Sequence, residues 1–252
     1  MHEEGIDVAN FFWHGSPLGA VEWACISSFL KNQFIVNIYS YNNLSIPSGA
    51  NLLDASDILP AEDLLKYVQD GQHANLPAFS DAFRYALLKL KGGWWFDVDV
   101  FCLAPVEAYV NLISQKDIKI SLAHEDSSYI NGAVLYIQDS IMINKVIEEL
   151  HSSGTVLNWG DIGPKLLTRV IKELGYEKSV DPTDLFYPIH YNDYSRIFDP
   201  ASLEWCLSRT KTSLAVHLWS EIGRRRKSYS IDMLNKGAYL DYLVNLSSRL
   251  SN

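Results

Sequence analysis

The chain is poor in cysteine, short of positive charge and without a long apolar run, and each shortage removes a class of protein. Its three cysteines, Cys25, Cys102 and Cys206, stand far apart and form no C-x-x-C pair. That pattern gives neither a disulfide framework nor a zinc knuckle, and a reducing cytoplasm is the expected setting. With 21 basic residues against 30 acidic ones the formal charge is −9, the reverse of the basic footprint of a nucleic-acid binder, so no nucleic acid is expected as a partner. No uninterrupted apolar run reaches the roughly 20 residues of a membrane span. The acidic start, Met1-His2-Glu3-Glu4-Gly5, lacks the basic segment and apolar core of a signal peptide. Internal repeats and low-complexity tracts are also missing.

What remains is a chain with apolar mass for a core and an alternating strand and helix pattern. Apolar residues make up 48% of the 252, enough for one α/β domain over residues 1–252 with insertions. The run 10–14 reads as an aromatic first strand broken by Gly15 and Pro17. A helix from about Gly19 to Leu30 follows, with Ala20, Trp23, Ala24 and Ile26 inward, and then the strand Phe34 to Tyr41, which completes the opening of a βαβ unit. A short helix is expected after Pro60 and a longer one from Pro77 to Lys91. Strands are expected over 118–124 and 130–137, joined by the polar turn 125–128. Helices should cover Ser140 to Leu150 and Lys165 to Leu174, with a last strand at Leu214 to Trp219 and an amphipathic helix over 231–250. The stretch 181–199 is rich in Tyr, Pro and Asp and reads as loops that wall a pocket.

Chemistry concentrates in Gly92-Gly93-Trp94-Trp95-Phe96-Asp97-Val98-Asp99-Val100. A diglycine stops the preceding helix, and a buried strand then carries two carboxylates, two residues apart. If the chain stays extended there, Asp97 and Asp99 point the same way and repel each other. A divalent cation, an arginine or water must balance them. On the preceding helix, Asp81 and Arg84 are neighbours at i, i+3. They form either a solvated ion pair or, because Tyr85 and Leu88 share their side, a buried one. Asp161 caps the helix that follows it or serves chemistry. His217 interrupts the last strand and needs a partner to matter. The run Arg224-Arg225-Arg226-Lys227 is either a solvated turn or a patch for phosphate or anionic lipid.

Ser80-Asp81-Ala82-Phe83-Arg84-Tyr85 followed by Gly92-Gly93-Trp94-Trp95-Phe96-Asp97-Val98-Asp99 resembles the S-D-x-x-R-Y, G-G-x-Y-x-D-x-D signature of the glycosyltransferases with a DXD sugar-binding region. That family includes capsule and lipopolysaccharide transferases, yeast mannosyltransferases and clostridial toxin domains. Phe11-Phe12-Trp13-His14-Gly15, Gly163-Pro164 and Ala215-Val216-His217-Leu218-Trp219 resemble its flanking pieces. The resemblance implies a GT-A-type single domain, a twisted mixed β-sheet flanked by helices with helical additions. Residues from about 8 to 138 would bind the nucleotide sugar, and those from about 139 to 252 would form the acceptor side.

It further implies that Trp13 stacks on the nucleotide base and that Asp81 and Arg84 hold the donor sugar and its phosphate side. Asp97 would contact ribose and sugar, Asp99 would bind Mn²⁺ or Mg²⁺, and Asn131 would contact the sugar. His217 is the candidate for a further metal ligand. The expected activity is metal-dependent, retaining transfer of a hexose from a nucleotide sugar, a UDP-sugar, to a glycan or glycolipid acceptor of a bacterial surface polysaccharide. The expected place is the cytoplasm, with peripheral membrane contact through Arg224, Arg225, Arg226 and Lys227. The family often has Ser-Trp a few residues after the last strand, where this chain has Ser220-Glu221-Ile222-Gly223-Arg224. Three other readings were weighed: a toxin-like protein glycosyltransferase, a haloacid-dehalogenase-type phosphatase on Phe96-Asp97-Val98-Asp99-Val100, and an inactive carbohydrate-binding relative. Nearly a hundred residues ahead of the acidic strand argue against the phosphatase.

Overall fold

A computed structural model describes residues 5–69, 71, 73–225 and 235–248. The chain opens with β1 (Val8–Phe12), α1 (Ala20–Lys31), β2 (Ile35–Ser40) and β3 (Asn51–Asp54). Two short 3₁₀ turns lead to β4 (Val68–Gln69) and α2 (Leu76–Lys91), followed by β5 (Trp94–Phe96), β6 (Val100–Cys102) and α3 (Val106–Ser114). Then come β7 (Ile120–Ser121), β8 (Val134–Ile137), α4 (Ser140–Ser152), β9 (Val156–Leu157) and α5 (Pro164–Leu174). The stretch 177–202 is a chain of 3₁₀ turns, and α6 (Leu203–Thr210), β10 (Ala215–His217), α7 (Ser220–Arg225) and α8 (Tyr239–Ser248) complete the described residues. Among these, no helix is long and apolar enough to cross a membrane.

The main sheet has six strands in the order β3-β2-β1-β5-β8-β7. Its first four are parallel, and β8 runs antiparallel to both β5 and β7. This is the mixed, helix-flanked sheet expected from the sequence. Because side chains alternate along a strand, Phe11, Trp94 and Phe96 enter the core on one face while Phe12 and Trp95 enter the core on the other. Burial on both faces explains why these strands read as unbroken apolar runs.

An asparagine ladder fixes the register of the parallel strands. Asn51 donates to Asn37 (3.0 Å), Asn37 to Asn10 (3.1 Å), and Asn10 to the carbonyls of Trp94 (3.0 Å) and Gly92 (3.2 Å). Gly93 has φ +78°, and a Cβ there would lie 2.8 Å from Asn10 Nδ2, so the turn from α2 into β5 needs glycine for both conformation and space. Asn75 caps α2 by accepting from the Ala78 N–H at 3.0 Å, and Gly92 ends it. Helix and acidic motif are thereby set against one another.

Several expectations shift by local geometry. On α1, Ala20 is exposed and Trp23 is 39% exposed, while Val21, Cys25 and Phe29 are buried. Ala24 and Ile26 are buried as expected, so the expected stripe holds at two of its four positions. Leu90, near the end of α2, is exposed. Most consequentially, the chain is not extended through the acidic pair. β5 stops at Phe96, and the Val100 N–H donates to the Asp97 carbonyl at 3.0 Å, closing a turn. That turn carries β6 out of the main sheet to pair with β10, opposing Val100 to His217.

Candidate active site

The turn Asp97-Val98-Asp99 lies at the floor of a cleft of about 540 Å³. β1 contributes Phe12 and the adjoining loop Trp13, α2 contributes Asp81 and Arg84, and the end of β10 contributes His217 and Trp219. Most sequence-predicted site residues thus come to one cavity from four separate parts of the chain.

Arg84 is the hub of one half. Its Nη2 lies 3.2 Å from Asp81 Oδ1 and 3.4 Å from Asp97 Oδ1, and its guanidinium stands over the Trp95 ring at 5.1 Å. The Trp95 indole N–H also donates to Asp97 Oδ1, at 2.8 Å. Only 6% of Arg84 is exposed, and Tyr85 and Leu88 are buried, so the i, i+3 pair is not a solvated one. Burial opposes the Arg84 charge, yet Asp97 and Asp81 outweigh it and hold its pKa above the ordinary value. For Asp81 burial wins: it pushes the carboxyl up to about 6 against the pull of Arg84, with Asp97 adding to the rise.

Two glycines make room for this pair. A Cβ on Gly132 would fall 2.2 Å from Arg84 Nη1, and one on Gly163 would fall 2.6 Å from Asp81 Oδ2. Neither has a positive φ, so what they supply is space, not conformation. In the sequence Gly163 stands out only as part of a Gly-Pro pair. The hairpin tip is 125–129, at the expected polar turn, where the Glu125 N–H donates to the Tyr129 carbonyl at 2.9 Å.

Asp99 is the hub of the other half. Its Oδ1 lies 3.2 Å from His217 Nε2, its Oδ2 accepts from the Ser220 N–H at 2.8 Å, and its carbonyl accepts from the Leu218 N–H at 3.0 Å. Burial would raise the Asp99 pKa, but His217 and Ser220 overcome it and hold the carboxyl well below the usual range. In return Asp99 raises His217 against its own burial. The N–H offered by Ser220 follows Trp219, a non-glycine residue at φ +56°. Its indole donates to the Ile189 carbonyl at 2.7 Å and its ring packs on His217 at 4.2 Å, which holds this uncommon backbone in place.

Asp97, Asp99 and His217 each offer a ligand atom, and these lie within 4.8 Å of one another. His217 Nδ1 is buried without a hydrogen-bond partner. Two carboxylates and an imidazole, with a ring nitrogen to spare, fit a divalent cation such as Mn²⁺.

The remaining candidates sit differently. Trp13 lines the cleft, its indole N–H donating to the Ser16 carbonyl at 2.6 Å. Asn131 does not line it: its Nδ2 donates to Glu125 at 2.8 Å and its Oδ1 accepts from the Ala133 N–H at 2.7 Å. Asp161 does not cap α5, whose N-cap is Gly163. It accepts instead from the Asn158 N–H at 2.7 Å and pairs with Lys165 at 3.1 Å. Arg226 and Lys227, together with the side chains of Arg224 and Arg225, lie outside the described residues. Glu22 of α1, buried on the cleft wall, escaped the sequence reading because a lone acid in a helix carries no signal.

Residues 24–119, which hold Asp81, Arg84, Asp97 and Asp99, match the family model described as the glycosyltransferase sugar-binding region containing DXD motif. Residues 138–239, which hold His217, match the alpha 1,4-glycosyltransferase conserved region. Two glycosyltransferase family models thus match separate stretches of the chain. Over 189 residues the chain is 27% identical to rat lactosylceramide 4-alpha-galactosyltransferase, covering 67% of this chain and 49% of that protein. It is 25% identical to human alpha-1,4-N-acetylglucosaminyltransferase over 162 residues, 59% of this chain and 44% of that one. The chain thus spans about half the length of these curated relatives. Among solved structures it is similar to the PaToxG glycosyltransferase, with 12% identity and a TM-score of 0.46 over 95% of this chain and 87% of that chain.

Proposed function

We propose that this glycosyltransferase moves a hexose, galactose in the first instance, from a UDP-sugar to a galactose-ended glycan or glycolipid, retaining the α configuration. The observation that carries this reading is the meeting of Asp97, Asp99 and His217 with the Arg84–Asp81 pair in one cleft. The names of the curated relatives support the choice of galactose, the α linkage and a glycolipid acceptor.

Asp99, Asp97 and His217 would hold the cation, which when bound supplies positive charge to the departing diphosphate. The protein's own part is preorganisation. Trp13 offers its ring to the base, and Asp81 accepts hydrogen bonds from the sugar hydroxyls. Arg84 fixes both acids and puts positive charge near the bond that breaks. The Ser220 N–H and the Trp219 turn keep Asp99 aimed at the cation.

We place the reaction at the cytoplasmic face of a bacterial membrane, on surface polysaccharide under construction. The acidic composition and unpaired cysteines support this setting, as does the run at 224–227, which would be the membrane-docking patch.

The test is transfer of radiolabel from UDP-galactose to lactose-terminated acceptor with and without Mn²⁺. The expected result is a product that needs Mn²⁺ and that α-galactosidase cleaves. Failure of every nucleotide sugar to give product, with phosphate released from simple esters instead, would contradict the reading.

A further inference from the structure

The two glycines that admit Arg84 and Asp81 belong to loops that also carry aromatic side chains to the surface. Tyr129 lies three residues before Gly132, and Trp159 four residues before Gly163. Their rings meet edge to face, with centroids 6.2 Å apart and planes at 79°. Trp159 is 43% exposed, the most exposed tryptophan among the described residues. Three and four residues span at most about 10 and 14 Å. The Cα atoms of the aromatic pair therefore stand within about 14 Å of the glycines that admit the Arg84–Asp81 pair.

Both loops are held stiffly. Asp126 accepts from the N–H groups of Ser128 (2.7 Å) and Tyr129 (3.2 Å), and receives the Tyr191 hydroxyl at 3.2 Å. The Ile130 N–H donates to Thr168 Oγ1 at 2.9 Å, tying this loop to α5. On the other side, Asp161 gathers the Asn158 N–H and Lys165, which fixes the turn that bears Trp159. A surface groove of about 430 Å³ continues from Tyr129 along α5 past Lys165, Thr168 and Lys172.

We infer that Tyr129 and Trp159 form the acceptor subsite, a two-walled shelf on which a pyranose ring of the acceptor glycan stacks. The negative faces of aromatic rings attract the C–H edges of a sugar, and a perpendicular pair offers one face and one edge to the same ring. The charged side chains along the groove, Lys165, Arg169, Lys172 and Glu173, suit the outward hydroxyls. Asp161 is then a positioning residue that acts through Trp159. The inference deepens the proposed transferase reading and rests on it for the identity of the shelf's occupant.

The experiment measures two bindings separately on the full chain. One is binding to a printed array of mono- and oligosaccharides with galactose, glucose, mannose and N-acetylhexosamine ends, followed by saturation-transfer NMR of the best binder. The other is calorimetric titration with UDP-galactose and Mn²⁺. Trp159→Ala is expected to weaken glycan binding tenfold or more and Tyr129→Ala by about fivefold, while Trp159→Phe keeps most of it. Asp161→Ala should give a smaller loss, with the melting temperature of every variant near that of the wild type. UDP-galactose affinity should stay within twofold in all of them. Glycan binding that depends on Trp159 without any UDP-sugar binding would support the shelf while sinking the transferase reading. Glycan binding indifferent to Trp159→Ala, no glycan bound at all, or donor affinity falling in step with glycan affinity would overturn the inference.

Discussion

The acidic cleft and the aromatic rim, linked by the loops that bear Gly132 and Gly163, solve opposite problems. In the cleft, charged groups are buried and satisfied by one another: Asp81 and Asp97 on Arg84, Asp99 on His217 and the Ser220 N–H. At the rim, Trp159 is left exposed and Tyr129 half-buried on a backbone pinned by Asp126 and Asp161. Burial strengthens each charge interaction but penalises an unmatched group, so the cleft should be intolerant of small changes. The rim should lose only the partner that stacks there. Gly132 and Gly163 mark the boundary between the two, since a methyl group at either would push on Arg84 or Asp81.

The sharpest way to break this contrast is to add that methyl. Gly132→Ala should displace Arg84 and lower kcat/KM about 100-fold, the size expected for losing one preorganised charged group. Gly163→Ala should cost about tenfold, since a carboxylate moves aside more easily than a guanidinium. Circular dichroism should show both variants folded; wild-type rates in Gly132→Ala would show that Arg84 is free to move.

Next in size is the effect of pH. In the proposed reading Asp81 accepts from the donor in its charged form, and burial pushes its pKa up to about 6. Donor binding should fall about tenfold for each unit below pH 6, the slope of a single ionisation. The sign for stability is the reverse. A carboxyl raised from 3.8 to about 6 favours the folded state while protonated, and that contribution is lost as pH rises through 6. Asp81→Asn should therefore abolish transfer and melt no lower than wild type at pH 7.5. A marked drop in its melting temperature would show that the ionised pair with Arg84 stabilises the fold.

The smallest effect on activity belongs to a buried ion pair that does not line the cleft. Lys116 Nζ lies 2.5 Å from Asp181, which also accepts from Ser121. Lys116→Met leaves a buried carboxylate short of a partner, at a cost of about 3 kcal/mol. The melting temperature should fall by roughly 10 °C, with transfer kinetics unchanged at 20 °C. A changed donor KM would mean that the two regions are coupled.

Much of the fold was legible because periodicity reports burial directly. The alternating aromatics of β1 and β5 and the capped, glycine-ended α2 could be read from single residues. What could not be read was the turn at Asp97-Val98-Asp99. Its neighbours favour strand, and only the pairing of Val100 with His217, more than a hundred residues away, bends the chain there. That pairing also delivers His217 to Asp99, a contact no local pattern announces. Asn131 and Asp161 show the converse: both have site-like chemistry, but their hydrogen-bonding atoms are used up holding loops. Gly132 and Gly163 were invisible as site residues because their contribution is the volume they do not fill.

The account turns on the acidic turn acting as one site for cation and nucleotide sugar. Calorimetric titration of UDP-galactose into the wild type and Asp99→Asn, each with and without Mn²⁺, tests it most directly. Binding that needs Mn²⁺ in the wild type and is lost in Asp99→Asn is the predicted result. Equal binding by both proteins, or binding indifferent to Mn²⁺, would contradict it.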